Sequence, residues 1–226
     1  MQINTIDSFL EKYINGYLFT DLATIKDSVP KDMHPGNAAY LMTGALCSGI
    51  EFLGYLLQEQ KVQDGPEAEG GSFAFEHYCK YYLARIEKRY EAFGVIGREL
   101  IRNGIAHSFA TKGKIGITRR GDRDESHLVR YGSSGIVVIN PDFLYEDLKQ
   151  SYEQYALPLL STGGKLRERA ENNYEGLKGR YNTEIERTMQ QAHKKIDSLP
   201  WLLKEVPSHP YTLEEIEANG FLPVVS

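Results

Sequence analysis

The residues best suited to chemistry lie in one short segment, Glu99-Leu-Ile-Arg-Asn-Gly-Ile-Ala-His-Ser-Phe109. Arg102 is followed directly by Asn103, and His107 comes five positions after the arginine. Arginine is a permanent cation that binds phosphate through two parallel hydrogen bonds, and histidine moves protons near neutral pH. This pair suits cleavage of RNA, whose own 2′-hydroxyl supplies the nucleophile, so no metal ion or other cofactor is expected.

The spacing sets a geometric condition on such a site. On an ideal α-helix, five residues place Arg102 and His107 about 140° apart, so an unbroken helix cannot aim both at one phosphate. A helix break at Gly104 is one solution. A two-fold axis that gathers one set of residues from each subunit is another, and the sequence leaves both open.

The segment resembles the signature of the HEPN superfamily, carried here by the six residues RNGIAH at 102–107. The resemblance covers roughly residues 5–160. It implies an all-helical domain; many such domains are metal-independent ribonucleases, and others are non-catalytic RNA-binding or scaffold modules. In catalytic members the Arg and His of two domains meet at a dimer interface and leave a 2′,3′-cyclic phosphate. By this resemblance Arg102 and His107 are the catalytic pair, and Asn103 supports them.

The resemblance also implies a toxin or defence setting, with an antitoxin or another protein as a possible partner. A toxin subfamily carries a tyrosine two residues after the histidine, which the antitoxin modifies. Here that position is Phe109, which has no hydroxyl, so this mode of control is not expected.

The same residues have plainer interpretations. Arg102 and Asn103 can simply end a helix, because a cation is favourable near a helix C-terminus, and His107 can be an ordinary loop histidine. The alternative function is therefore a non-catalytic HEPN-like module that binds RNA, a nucleotide or a protein partner through the same polar site.

Two glutamates are candidate supporting residues. Glu51 is the sole charged residue between Asp32 and Glu59, and it either faces solvent or pairs with a buried cation such as Arg102. Glu99 lies three residues before Arg102 and either orients it or forms an ordinary surface ion pair.

A locally basic stretch follows the motif. Between Lys112 and Arg130 the cations exceed the acids by three. Lys112, Lys114, Arg119 and Arg120 are therefore candidate contacts to an RNA backbone near His107. The alternative is a solvated hairpin whose charges protect its edges.

Periodicity predicts a mainly α fold around these residues. Apolar residues recur at helical spacing over 6–27, 37–58, 72–89, 90–103 and from Asn140, which with Pro141 and Asp142 forms a helix start. The runs KIGITRR, SHLVRYG and GIVVIN predict a small antiparallel β-meander at about 114–140, inserted in the helical bundle.

The domain boundaries follow from breaks in this pattern. We expect a HEPN-like domain over 1–162, a long amphipathic helix over 163–200 after Gly163-Gly164, and a tail over 201–226. The long helix either packs on its own domain or pairs with a partner helix. Its apolar stripe and the half-site character of the motif both favour a homodimer.

Composition excludes several classes of protein. The net charge of −5 argues against a general polyanion-binding protein, and two cysteines are too few for a disulfide scaffold. The six histidines show no metal-ligand spacing. No secretory signal or membrane-spanning run is apparent, so a cytoplasmic location is expected.

Overall fold

The computed structural model describes residues 5–33, 36–59, 70–102, 104–105, 111, 113–132 and 134–196. The fold is mainly α with a small three-stranded sheet, which confirms the predicted fold class. The α-helices, in chain order, are α1 (Ile6–Phe9), α2 (Asp21–Ser28), α3 (Ala39–Leu57), α4 (Gly70–Tyr81), α5 (Tyr90–Ile96), α6 (Arg123–Ser126), α7 (Pro141–Ser151), α8 (Leu157–Ser161) and α9 (Lys165–Ile196). Further helical segments are π-helical over Leu10–Thr20, Gly97–Arg102 and Tyr152–Ala156, and 3₁₀ over Leu83–Arg85.

Helix α3 forms the centre of the core. Its predicted stripe is confirmed, because every member is at most 2% exposed: Met42, Leu46, Ile50, Leu53 and Leu57. Gly54 lets α4 approach closely, since a Cβ atom there would lie 1.9 Å from the carbonyl oxygen of Ala74. Burial of this stripe and tight packing on α4 hold the two helices together.

Length and composition alone would let α3 cross a bilayer, and among the described residues no other helix meets that test. More than half of its apolar window is buried inside the protein. That burial is consistent with the core helix of a soluble protein.

The start of α7 matches its predicted cap. Asn140 is the N-cap, and its side-chain oxygen accepts a 3.0 Å hydrogen bond from the backbone N–H of Asp142, with Pro141 in the first turn. These contacts satisfy one of the free N–H groups of the first turn and fix where the helix begins.

The sheet lies within the predicted range, but its topology differs from a meander. The strands are β1 (Ile115–Ile117), β2 (Val129–Tyr131) and β3 (Ile136–Ile139), in the order β1-β3-β2. β3 pairs antiparallel with β2 and parallel with β1, so the prediction of a purely antiparallel sheet was wrong. The connection from β1 to β2 contains α6, and it carries the chain to the far side of the position that β3 occupies.

The long helix begins where it was expected. Gly164 has a φ of 130°, a conformation that favours glycine, and α9 follows as one helix over Lys165–Ile196. Residues 197–226, which include the predicted tail, lie outside the described residues. The chain divides into two compact units, Met1–Glu175 and Gly176–Ser226.

Candidate functional site

The backbone that leads into the motif is anchored against α3. The π-helical segment Gly97–Arg102 includes Ile101, which is fully buried, and Ile105 is 9% exposed. A Cβ atom on Gly44 of α3 would lie 3.2 Å from Cγ2 of Ile105. Two buried isoleucines, one on each side of Arg102 and Asn103 in the sequence, therefore fix this part of the chain on the core.

The π-helical stretch ends at Arg102, so it lies before the interval between Arg102 and His107 considered in the sequence. In a π-helix each N–H binds a carbonyl five residues earlier rather than four. Within that interval Gly104 and Ile105 are α-helical, so the helix break expected at Gly104 is not observed at that residue. Single π-turns of this kind occur frequently at functional sites.

The remaining parts of the predicted catalytic set are not described by the structure. Asn103 and His107 lie outside the described residues, as does Phe109. Only the backbone is described at Glu99 and Arg102. The assignment of these residues to catalysis remains a prediction.

Glu51 lies on the face of α3 that meets the motif segment. It is half-buried, seven residues after Gly44. Residues seven apart on an α-helix share a face and are separated by about 10 Å. Glu51 is therefore placed about two turns along α3 from the contact with Ile105.

The structure corrects the prediction for Arg119. It is 1% exposed, and its guanidinium donates to Asp142 Oδ1 at 2.9 Å. Further hydrogen bonds reach the carbonyl oxygens of Val29 and Asn37 at 3.1 and 2.9 Å, and that of Lys26 at 2.8 Å. Because all three guanidinium nitrogens are occupied inside the protein, Arg119 cannot bind an RNA phosphate.

Arg119 instead joins three parts of the fold. Lys26 and Val29 lie at the C-terminal end of α2, where carbonyl groups lack helical partners, and Asn37 precedes α3. Asp142, which is almost fully buried, completes the charge balance and is also paired with Lys31 Nζ at 2.9 Å. We call this set of contacts the Arg119 hub.

The other predicted RNA contacts differ in exposure from Arg119. Lys114 and Arg120 are exposed, and Arg120 donates a hydrogen bond to the backbone oxygen of Asp32. Lys112 lies outside the described residues. Among the described members of the predicted basic surface, Lys114 and Arg120 stay available to an anion.

A second buried polar network surrounds His127, whose side chain is fully buried. Its Nε2 atom lies 2.8 Å from the Tyr90 hydroxyl, and that hydroxyl donates to Asp147 Oδ2 at 2.8 Å. Arg123 Nη1 donates to the same carboxylate oxygen at 2.7 Å. On the other side of the ring, the backbone N–H of Asn140 donates to Nδ1 at 3.3 Å. We call these contacts the His127 network.

The hydrogen bonds assign the tautomer of His127. Nδ1 accepts from an N–H group, so the neutral ring carries its proton on Nε2 and donates it to Tyr90. Burial lowers the pKa of His127, assisted by the positive charges of Arg123 and Arg89, and this outweighs the opposing attraction of Asp147. The ring is therefore neutral near neutral pH.

The two acids of the network are also fixed in one protonation state. Burial raises the pKa of the Tyr90 hydroxyl well above its ordinary value, and the negative charge of Asp147 raises it further. Burial favours protonation of Asp147 as well, but the nearby His127 ring and the hydrogen bonds from Arg123 and Tyr90 hold its pKa below the ordinary value. A buried network in fixed protonation states serves to hold α5, α6, β3 and α7 together.

The sequence analysis did not identify either network. The signal that was present is the cap Asn140-Pro141-Asp142, which places two of the participating residues at one helix start. Tyr90, His127 and Asp147 are far apart in the sequence and share no spacing pattern.

No group of three or more His, Cys, Asp or Glu side chains among the described residues is arranged to hold a metal ion. Cys47 and Cys79 are buried free thiols.

Neither a protein-family model, nor a curated protein, nor a solved structure matches this chain.

Proposed function

We propose that this protein is a HEPN-like, metal-independent endoribonuclease that cleaves single-stranded RNA as a cytoplasmic homodimer. The observation that carries the proposal is the anchoring of the segment around Arg102. Ile101 and Ile105 are buried, and Ile105 lies against Gly44 of α3, so the backbone at Arg102 lies next to a fixed point of a mainly helical fold. Such fixed placement is what a phosphate-binding arginine requires.

Each residue of the motif has a role in the proposed reaction. The RNA 2′-oxygen attacks phosphorus, the bond from phosphorus to the 5′-oxygen breaks, and a 2′,3′-cyclic phosphate forms. His107 moves the proton from the 2′-hydroxyl to the leaving 5′-oxygen. Arg102 stabilises the charge on the phosphorus oxygens, and Asn103 adds a neutral hydrogen-bond donor. Glu51 and Glu99 orient the arginine.

Because Arg119 is buried, fewer basic residues of the sheet region remain as candidate contacts to the RNA backbone. Lys114 and Arg120 are exposed in the sheet region, and they are the described candidates for phosphate contacts there. Lys112 remains a candidate from the sequence alone.

A cleavage assay with matched variants tests this function. Arg102→Ala and His107→Ala should each slow cleavage of single-stranded RNA by about 10²-fold or more. Arg187→Ala, which removes an exposed arginine on α9, serves as the control and should cleave like the wild type. EDTA should have no effect, DNA should remain intact, and Phe109→Tyr should leave the rate nearly unchanged.

Mixing the two inactive variants distinguishes the two ways of assembling the site. If Arg102 and His107 act from different subunits, mixed dimers contain one intact pair and regain activity. If both act from one chain, the mixture stays inactive. A protein that remains monomeric at high micromolar concentration in light scattering contradicts the two-subunit site.

Failure to cleave RNA under any condition overturns the proposal. If Arg102→Ala then weakens binding of RNA, a nucleotide or a protein, the non-catalytic module takes its place. Cleavage by His107→Ala at the wild-type rate also rejects the proposed chemistry.

A further inference from the structure

We propose that the outer face of α4 binds single-stranded RNA by stacking bases on a line of aromatic rings. The rings are Phe73, His77 and Tyr81, four residues apart, and we call them the α4 ladder. The ring centroids of Phe73 and His77 are 5.9 Å apart, and those of His77 and Tyr81 are 4.7 Å apart. Phe73 is 41% exposed and Tyr81 is 48% exposed, so the two ends present ring surface to solvent.

The α4 ladder is held by rings in the core. Tyr82 lies 6.1 Å from His77, and it stacks on the buried ring of Tyr78 at 4.9 Å with an interplanar angle of 18°. Tyr78 in turn is hydrogen-bonded to Ser151 of α7 at 3.1 Å. A platform fixed in this way loses little side-chain entropy when a base stacks on it.

Positive charges border the rings. Lys80 Nζ lies 5.3 Å from the centroid of Tyr81. The charges of Arg85 and Arg169 act on Tyr82, and that of Arg169 also acts on His77. Glu59 is the acid that acts on His77, and it is ion-paired with Arg169 at 3.3 Å. Cations beside stacking rings are the combination that single-stranded nucleic acids require.

An open groove lies along the start of α9. It has a volume of about 380 Å³ and is lined by Glu59, Lys165, Glu168, Arg169 and Asn172. Arg169 belongs to this lining, and its charge also acts on His77 of the α4 ladder. The groove is lined by two acidic and two basic side chains. Because phosphates are repelled by the acids, we assign the phosphate contacts to Lys165 and Arg169.

Stacking on aromatic rings distinguishes single-stranded from double-stranded nucleic acid and depends little on the base sequence. The bases of a single strand have free faces, whereas those of a duplex are covered by their neighbours. Burial and the charge of Arg169 both lower the pKa of His77, so its ring is neutral near pH 7 and stacks without a cation's hydration.

This inference deepens the proposed function by naming the surface that holds the substrate, yet it can be tested separately. The α4 ladder lies outside the motif at 102–107, so ladder variants affect binding while motif variants affect the chemical step. In cleavage assays Tyr81→Ala should raise KM and leave kcat unchanged.

The decisive experiment is fluorescence anisotropy with the full chain and a labelled single-stranded RNA 12-mer whose 2′-hydroxyls are methylated, so that the proposed reaction cannot cleave it. Tyr81→Ala should weaken binding roughly 5- to 100-fold, in line with the contribution of one stacked base. Tyr81→Trp keeps a large ring and should bind at least as tightly as the wild type. Tyr40→Ala removes a tyrosine of α3 that is 43% exposed, and it should bind like the wild type.

Nucleic-acid controls complete the test. Single-stranded DNA of the same sequence should bind comparably, a duplex should bind much more weakly, and Lys165→Gln should reduce the salt dependence. Binding that needs the α4 ladder without any RNA cleavage supports this inference and rejects the nuclease. Wild-type binding by Tyr81→Ala, no binding at 100 µM, or a shift from dimer to monomer in Tyr81→Ala without an effect on RNA overturns it.

Discussion

The sheet region and the motif segment are anchored in the fold by different kinds of contact. In the sheet region, Arg119 is fully enclosed and donates four hydrogen bonds to Asp142 and to backbone oxygens. His127 is likewise buried among Tyr90, Asp147 and Arg123. Around Arg102, by contrast, the anchoring contacts are apolar and come from the neighbouring isoleucines.

This difference teaches that a basic run in a sequence does not by itself define a binding surface. A guanidinium surrounded by carboxylate and carbonyl oxygens stabilises the fold and is removed from solvent. Variants that affect one region at a time test this difference.

The largest effect is expected for Arg119→Met. The substitution leaves Asp142 buried without its main partner and uncaps the carbonyl oxygens at the end of α2. Breaking a buried ion pair in this way should lower the free energy of unfolding by about 3–5 kcal/mol. Urea denaturation measures it, and Arg120→Met, which removes the exposed neighbour, should be nearly neutral. Equal losses for the two variants would show that burial is not what distinguishes them.

A smaller loss is expected for Tyr90→Phe. Removing the hydroxyl leaves His127 Nε2–H without its acceptor and takes one donor from Asp147. An unsatisfied buried group costs about 1–3 kcal/mol. Tyr152→Phe is the matched control, because the buried Tyr152 hydroxyl has no hydrogen-bond partner among the described residues and its removal should be neutral or stabilising. Thermal unfolding compares the two, and a greater loss for Tyr152→Phe would reject the network.

The third effect concerns pH. The pKa of His127 is lowered in the folded protein from an ordinary 6.5, so below that pH the unfolded chain binds a proton more readily than the folded one. Stability should therefore fall as the pH drops below about 6.5, by at most about 1.4 kcal/mol per pH unit for this one group. Protonation also places a proton on Nδ1 opposite the N–H of Asn140.

This effect is measured by urea denaturation of the wild type and of His127→Gln at several pH values between 7.5 and 5. The quantity compared is the change in unfolding midpoint of each protein across that range. The wild type should lose more stability across that range than the variant. Identical pH profiles would show that the pKa of His127 does not differ between the folded and unfolded states.

The carboxylate of Asp147 affects stability at lower pH. Its pKa is lowered in the folded protein, so its contribution to stability is lost as the pH falls below about 4.

Local patterns predicted most of the fold. The stripe of α3, the cap at Asn140 and the helix after Gly164 each depend on residues close in the sequence, and all three are confirmed. The pairing of β1 with β3 was missed, because strand order depends on the path of the connection that contains α6.

The polar networks were not predictable for the same reason. Arg119 is bonded to residues about 80 to 90 positions earlier, and Tyr90 to residues 37 and 57 positions later. No spacing rule links positions so far apart. The basic run that contains Arg119 shows from the sequence that positive charge is concentrated there. It does not show which of these side chains is buried.

The central claim is that the motif performs the chemical step and that the buried polar residues of the sheet region stabilise the fold. The most direct test is the cleavage rate per folded molecule of His107→Ala and of Arg119→Met, measured on the same single-stranded RNA. His107→Ala should lose about 10²-fold or more in rate with an unchanged urea midpoint. Arg119→Met should unfold at lower urea yet cleave at the wild-type rate for each folded molecule. A folded Arg119→Met protein without activity, together with a fully active His107→Ala protein, would contradict this division.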